Sequence, residues 1–273
     1  MRFGSLQFVK GHGTENDFVL LPEPPDDLSE ALVRRLCDRR AGIGGDGVLA
    51  VRRSADGAAS RDADTYFMDY RNADGSIAEI CGNGIRVFAR YLVEAGRQAA
   101  GCFEVDTRAG RCRVEVPADG GDITVEMGVP ERLTDAKVTV GTSTWPGYGY
   151  AIGNPHLVVL DAGDIDALDL SSAPTVEPPF PTGVNVELLQ PVGPRQLRMR
   201  VYERGVGETR SCGSGACMAA VAAMDAAGER STYVVDVAGG RLTVTWRDDD
   251  VVTLTGPAIL VAFGEVDPST WNG

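Results

Sequence analysis

Apolar positions along the chain mostly alternate with polar ones or fall in short β-branched runs, a pattern that predicts strands. Such runs are Leu6–Val9, Phe18–Leu21, Val48–Val51, Tyr66–Tyr70, Arg111–Val116, Ile123–Met127, Val184–Leu189, Leu197–Tyr202, Tyr233–Val237, Leu242–Trp246, Val251–Leu254 and Ile259–Phe263. Three stretches carry helical spacing and helix punctuation instead. Asp26–Arg39 opens on Asp and Ser cap candidates and stops before Gly42; Gly82–Ala95 stops at Gly96, and Gly213–Ala227 at Gly228. A short helical turn is expected near Asp164–Leu168. Many strands and few helices predict an α+β fold, not the regular alternation of a doubly wound one.

The two later helices are announced in the same way. Met68-Asp-Tyr-Arg-Asn-Ala-Asp-Gly-Ser-Ile-Ala-Glu-Ile-Cys81 precedes the first, and Met199-Arg-Val-Tyr-Glu-Arg-Gly-Val-Gly-Glu-Thr-Arg-Ser-Cys212 the second. Each runs from strand through polar turn to Cys, Gly-x-Gly and helix. The two lie 131 residues apart and align without gaps. This reads as an internal duplication, each half presenting one cysteine at a helix start. The divide is expected near Gly128–Pro130, giving a first half over residues 1–128 and a second over 129–258.

Composition narrows the function. With 39 acidic residues against 26 basic ones, the formal charge is −13. Nucleic acid and anionic membrane surfaces are therefore not expected partners. No apolar run approaches the ~20 residues of a membrane span. Met1–Gly13 lacks the pattern of a signal peptide, so a cytoplasmic location with reduced cysteines is expected. Lys10 and Lys137 are the only lysines, and neither sits in a recognisable pyridoxal-phosphate context.

Cys81-Gly-Asn-Gly84 and Cys212-Gly-Ser-Gly215 carry the strongest chemical signal. A cysteine at a helix N-terminus faces backbone N–H groups and the positive end of the dipole. That setting is expected to lower a thiol pKa toward neutrality and make a thiolate base or nucleophile. The plainer alternative is a small apolar residue under a tight turn. Cys37, Cys102, Cys112 and Cys217 read as structural. The chain has no Cys-x-x-Cys and only two histidines, so no metal is expected. Gly42-Ile-Gly-Gly-Asp-Gly47 matches a dinucleotide fingerprint but follows a helix and precedes a strand, so it reads as a helix end and loop.

Asn16, Asn72, Asn154 and Asn185 lie in tight polar segments; each taken alone reads as a turn former, Asn72 above all, yet such neutral donor–acceptor groups are also what a zwitterionic ligand needs. Glu203 and Arg204 precede Cys212, and Asn72 occupies the place equivalent to Glu203. A Glu there suits an ammonium and an Arg a carboxylate, and a surface ion pair is the alternative.

Taken with Lys10, His12-Gly13, Asn16-Asp17-Phe18, Asn72-Ala-Asp-Gly-Ser, Gly153-Asn-Pro-His156, Val184-Asn-Val186 and Tyr202-Glu-Arg-Gly205, the two cysteine motifs resemble the diaminopimelate epimerases over essentially the whole chain. The resemblance implies two pseudo-symmetric α+β domains, each a rolled, mostly antiparallel sheet around a central helix, with a C-terminal strand over about 259–273 returning to the first. It implies cofactor-independent conversion of LL-2,6-diaminopimelate to the meso isomer, in lysine and peptidoglycan biosynthesis, by a homodimer. It makes Cys81 and Cys212 the acid–base pair. Asn16, Asn72, Gly82, Asn83, Asn154, Asn185, Glu203, Arg204, Gly213 and Ser214 become substrate contacts, and His156 flanks the site. For the L to D direction Cys212 is assigned as proton acceptor and Cys81 as donor. Gly47 departs from the family pattern, since many members carry a substrate-contacting Gln there. Proline or hydroxyproline racemisation, thiol–disulfide exchange and non-catalytic amino-acid binding remain the competing readings.

Overall fold

The structure is a computed structural model that describes residues 5–54 and 65–271. It divides into two compact units, one comprising the residues up to Val125 together with those from Pro257 onward, the other Glu126–Gly256.

The two units repeat one sequence of strand pairings. In the first, Leu6–Gly13 runs antiparallel to Asn16–Leu21, which is parallel to Gly47–Arg53. That strand is antiparallel to Tyr66–Asn72, which is parallel to Gly101–Thr107. Two antiparallel steps follow, to Gly110–Val116 and then Ile123–Gly128. In the second, Ser143–Ile152, Asn154–Val159, Asn185–Gly193, Gln196–Glu203, Thr232–Val237, Gly240–Trp246 and Val252–Gly256 pair in that same order with the same alternation of sense. The duplication seen in the sequence is thus a duplication of topology. The C-terminal strand, Ile259–Val266, lies antiparallel to Leu6–Gly13. Residues 272–273, the end of the returning segment expected from the sequence, lie outside the described residues.

Three α-helices form among the described residues. Helix α1 spans Glu30–Cys37 and is shorter than the expected Asp26–Arg39. Its cap is Ser29, whose hydroxyl accepts the Leu32 N–H at 3.3 Å. It ends early because the Asp38 carboxylate takes the N–H groups of Arg40 and Ala41 at 2.8 Å and turns the chain. Helices α2, Gly82–Glu94, and α3, Gly213–Ala227, match their expected spans to within a residue. Gly228 closes α3 in the left-handed conformation, at φ 67°. The turn expected near Asp164–Leu168 is a 3₁₀ turn over Ile165–Ala167.

Each central helix is wrapped by the sheet of its own unit. On α2, every residue from Gly82 to Leu92 is buried, including Arg86 and Arg90. Helix α3 is rich in Ala, and Ala216 through Ala222 are all buried. A helix apolar all round is one covered all round. Its small side chains let the strands approach, and Leu189, Leu197, Met199, Val235, Leu242, Val244 and Leu254 fill the space around it.

Phe88 on α2 is wholly inaccessible to solvent. Phe88→Ala should lower unfolding stability by about 3–5 kcal/mol, read from the denaturant midpoint. A loss below about 1 kcal/mol would mean that α2 is not the packing centre of its unit.

Candidate active site

In the first unit the sheet delivers the chain to Cys81 in extended conformation, at φ −143° and ψ 114°, where it caps α2. The sulfur accepts the Gly84 N–H at 3.3 Å. Cys81 Sγ lies 3.6 Å from Asn16 Oδ1, which also accepts from Asn83 Nδ2 at 3.2 Å. The side-chain Oδ1 of Asn83 in turn accepts from the buried Arg86 guanidinium at 2.8 Å. Cys81, Asn16 and Asn83, three expected site residues, are therefore neighbours. Gly82 opens the helix beside them.

Asn16 is held by a residue not among the sequence candidates. Its amide donates to Asp46 Oδ2 at 2.7 Å. Arg39 bridges Asp46 and Asp17, with Nη2 2.7 Å from each, and Lys10 pairs with Asp17 as well. Burial disfavours the Asp17 carboxylate, but the Arg39 and Lys10 cations outweigh it and hold its pKa well below the usual range. The Gly42–Gly47 loop is thus a fixed support for Asn16. Asn72 sits in a tight turn, its side-chain amide donating to Ser76 Oγ at 3.0 Å.

In the second unit Cys212 caps α3 in the same way, its sulfur accepting the Gly215 N–H at 3.4 Å, with Ser214 Oγ 3.6 Å away. Gly213 is the first residue of that helix. Arg204 gathers two other expected residues: its backbone N–H donates to Asn185 Oδ1 at 2.9 Å, and its guanidinium reaches Asn154 Oδ1 at 3.4 Å and the Thr182 carbonyl at 2.9 Å. Glu203 accepts from the Thr209 hydroxyl. His156 is fully buried and its Nδ1 lies 2.7 Å from Oε1 of Glu187, also fully buried. Glu187 was not a sequence candidate, although a lone charge inside Val186–Leu189 is the signal that could have found it.

The electrostatics of Cys212 differ from the expectation of a lowered pKa. Burial pushes its thiol well above the ordinary value, and the carboxylates of Glu203 and Glu187 add to the rise. The Ser214 and Gly215 hydrogen bonds favour the thiolate but do not offset the loss of water. Burial likewise raises Glu203, and the nearby Glu187 charge acts in the same direction. None of the six cysteines is joined in a disulfide. Cys37 is inert by burial, which pushes its pKa to about 12. Among the described residues no cluster of three His, Cys, Asp or Glu side chains could hold a metal ion.

The family described as Diaminopimelate epimerase matches residues 8–133 and 150–261. A diaminopimelate epimerase of Streptomyces coelicolor is 50% identical, covering 97% of this chain and 96% of its own length. One of Thermobifida fusca is 48% identical over 96% and 98%. Among solved structures, a phenazine biosynthesis protein of the PhzF family from Bacillus anthracis aligns with TM-score 0.72 at 16% identity over 97% and 99%. A probable proline racemase from Agrobacterium radiobacter K84 aligns with TM-score 0.70 at 17% identity over 96% and 92%. At such identities these two structures speak to fold alone.

Gly47 leaves no room for a side chain. A Cβ there would stand 2.5 Å from the Arg71 carbonyl oxygen and 2.7 Å from the Tyr70 ring. Gly47→Gln should therefore cost about 1–3 kcal/mol of stability, seen as a lower thermal midpoint. An unchanged midpoint would show that the strand can shift to admit the side chain.

Proposed function

The chain belongs to the diaminopimelate epimerase family, and we propose that it converts LL-2,6-diaminopimelate to the meso isomer without a cofactor, through Cys81 and Cys212. The observation that carries the reading is the placement of these two thiols as sulfur caps of equivalent helices in a duplicated frame.

Inverting a carbon requires a base on one face and an acid on the other, because a lone base tends to return the proton to the face it came from. One thiolate removes the α-hydrogen, and the C–H electron pair passes into the carboxylate-conjugated carbanion. The other thiol then gives its proton to the opposite face. After one turnover the two sulfurs have exchanged protonation states, so their titrations belong to the pair. The sequence-based order stands within this proposal: for L to D, Cys212 accepts and Cys81 donates.

An α-hydrogen beside an ammonium and a carboxylate is a very weak acid. Backbone N–H groups at Gly82–Asn83 and Gly213–Ser214, at the positive ends of α2 and α3, are suited to the charge that builds on the carboxylate. Asn16 and Asn72 from the first unit, and Asn154, Asn185, Glu203 and Arg204 from the second, complete the set for a substrate with two ammonium and two carboxylate groups. The Arg204 guanidinium, anchored by Asn154 and Thr182, suits a carboxylate, and Glu203 an ammonium. His156 flanks this set. The reading also places the reaction in lysine and peptidoglycan biosynthesis in the cytoplasm.

A homodimer belongs to the same reading. On Ile259–Val266 the alternate residues Ile259, Val261 and Phe263 are 49%, 59% and 67% exposed. An apolar row of this kind marks an interface. Phe263→Glu should convert a dimer to a monomer in light scattering, whereas a parent chain that is already monomeric refutes the assembly.

Proton NMR of LL-diaminopimelate in deuterated water, with reductant and no added cofactor, should show loss of the α-hydrogen signal and growth of the meso isomer. Cys81→Ala and Cys212→Ala should each slow epimerisation by about 10²–10⁴-fold. A folded chain with free thiols that exchanges proline but not diaminopimelate would move the assignment to a proline racemase. Turnover in an insulin-reduction assay would favour thiol–disulfide exchange. Binding without any exchange would leave a non-catalytic receptor.

A further inference from the structure

The duplicated frame allows the two thiols to be compared position by position. Gly84 follows Cys81 as Gly215 follows Cys212. A Cβ on Gly84 would stand 3.2 Å from Leu49 Cδ2 and 3.6 Å from Cys81 Sγ. A Cβ on Gly215 would stand 2.7 Å from Glu187 Oε1 and 3.3 Å from Cys212 Sγ. Leu49 and Glu187 are each the third residue of equivalent strands, Gly47–Arg53 and Asn185–Gly193. Phe18 and His156 are likewise the third residues of their parallel neighbours, Asn16–Leu21 and Asn154–Val159. The first unit therefore has a Phe and a Leu where the second has a His and a Glu, and all four side chains are fully buried.

A buried carboxylate is costly and is kept only where it is held. Glu187 is held by His156 Nδ1 on one oxygen, while Oε2 of Glu187 and Nε2 of His156 have no partner. An apolar pair fills the equivalent space in the first unit, so packing alone does not require the polar one. What the polar pair adds is negative charge under the first turn of α3.

We propose that Glu187, fixed by His156, is a positioning residue that keeps Cys212 in its thiol form in the substrate-free enzyme, so that this sulfur holds the proton to be donated first. The titratable groups around Cys212 are Glu187 and His156 from the two parallel strands and Glu203 from the strand Gln196–Glu203. Helix α3 opposes them with the Ser214 hydroxyl and the Gly215 N–H. Like charge beside a sulfur disfavours the thiolate. The order in which Cys212 accepts for L to D then requires that this proton leave before that direction begins. The inference rests on the two-thiol reading above, but its test does not need turnover.

Alkylation by iodoacetamide reports the thiolate, and peptide mass spectrometry assigns it to a residue. Cys212 is followed against pH in the Cys81→Ala chain, and Cys81 in the Cys212→Ala chain. The midpoint for Cys212 should lie above that for Cys81; an equal or lower midpoint overturns the proposal with Glu187 untouched. Glu187→Gln keeps the acceptor for His156 and removes the charge. In the Cys81→Ala background it should lower the Cys212 midpoint and raise its alkylation rate near neutral pH about tenfold, the equivalent of one pKa unit. A profile unmoved in a variant that melts like its parent also overturns it, and Glu187→Met replaces Glu187→Gln if the latter melts early. Loss of α-proton exchange in the parent chain, with the alkylation result intact, would count against the epimerase reading alone.

Discussion

Each half of this protein depends on a helix that starts at a sulfur atom. The cap is a weak one, since sulfur is a poor acceptor compared with the Ser or Asp oxygen that usually fills the role. Nothing in the stability of α2 or α3 calls for cysteine there. Both helices are held by burial within the sheet of their own unit, with Phe88 in one and Ala216–Ala222 in the other wholly or almost wholly covered. Because packing secures the helix, its N-terminus is released from the need for a strong cap. It is then free to carry the group to which proton transfer is assigned in the proposal above. The glycines after each sulfur follow from the same constraint: at Gly215 any side chain would strike Glu187, and at Gly84 one would crowd Leu49.

The parts of the fold legible in the sequence were those with local punctuation. Both cysteine-capped helices, the strand over Arg111–Val116 and the repeat at 131 residues all announce themselves through Gly, Cys and alternation. Strands that break local rules were missed. Ser143–Ile152 contains Pro146, Gly147 and Gly149, residues that read as a turn. Yet at Gly147 a Cβ would stand 2.7 Å from Leu157, so the glycine marks a close approach of strands. Asn154–Val159 opens on Asn-Pro and was read for its Asn rather than as a strand. Asp26 was taken as part of a helix whose true cap, Ser29, lies three residues on.

The supports of the site were less legible than its members, for a physical reason. Asn16 and Cys81 could be named from their motifs, but Asp46, Arg39 and Lys10 act on Asn16 and Asp17 across loops, and sequence spacing does not encode such contacts. The cation cluster matters because Asp46 accepts from the Asn16 amide and so leaves Oδ1 of Asn16 turned toward the sulfur and Asn83. The expectation of an acidic Cys212 failed for a related reason. A helix dipole worth a fraction of a unit charge is visible in the sequence. The desolvation that outweighs it, and the carboxylates of Glu187 and Glu203 that add to that desolvation, depend on how their strands pack around the helix, which the local motif does not encode.

Duplication followed by divergence gives this fold a feature that a single domain lacks. The pairing order, the sulfur caps and the glycines are shared, so each thiol stands in nearly the same local geometry within its own unit. The departures from symmetry are chemical: Phe18 and Leu49 against His156 and Glu187, Asn72 against Glu203, Arg86 against Cys217. They place acidic side chains around one thiol and leave an apolar strand beneath the other. An ammonium and a carboxylate are not bound by identical surfaces, so such inequality is compatible with the zwitterionic substrate proposed above. The same inequality is what the proposed difference in proton affinity between the two sulfurs rests on. On the proposed reading, substrate recognition and the resting state of the acid–base pair both trace to these few substitutions in a shared frame.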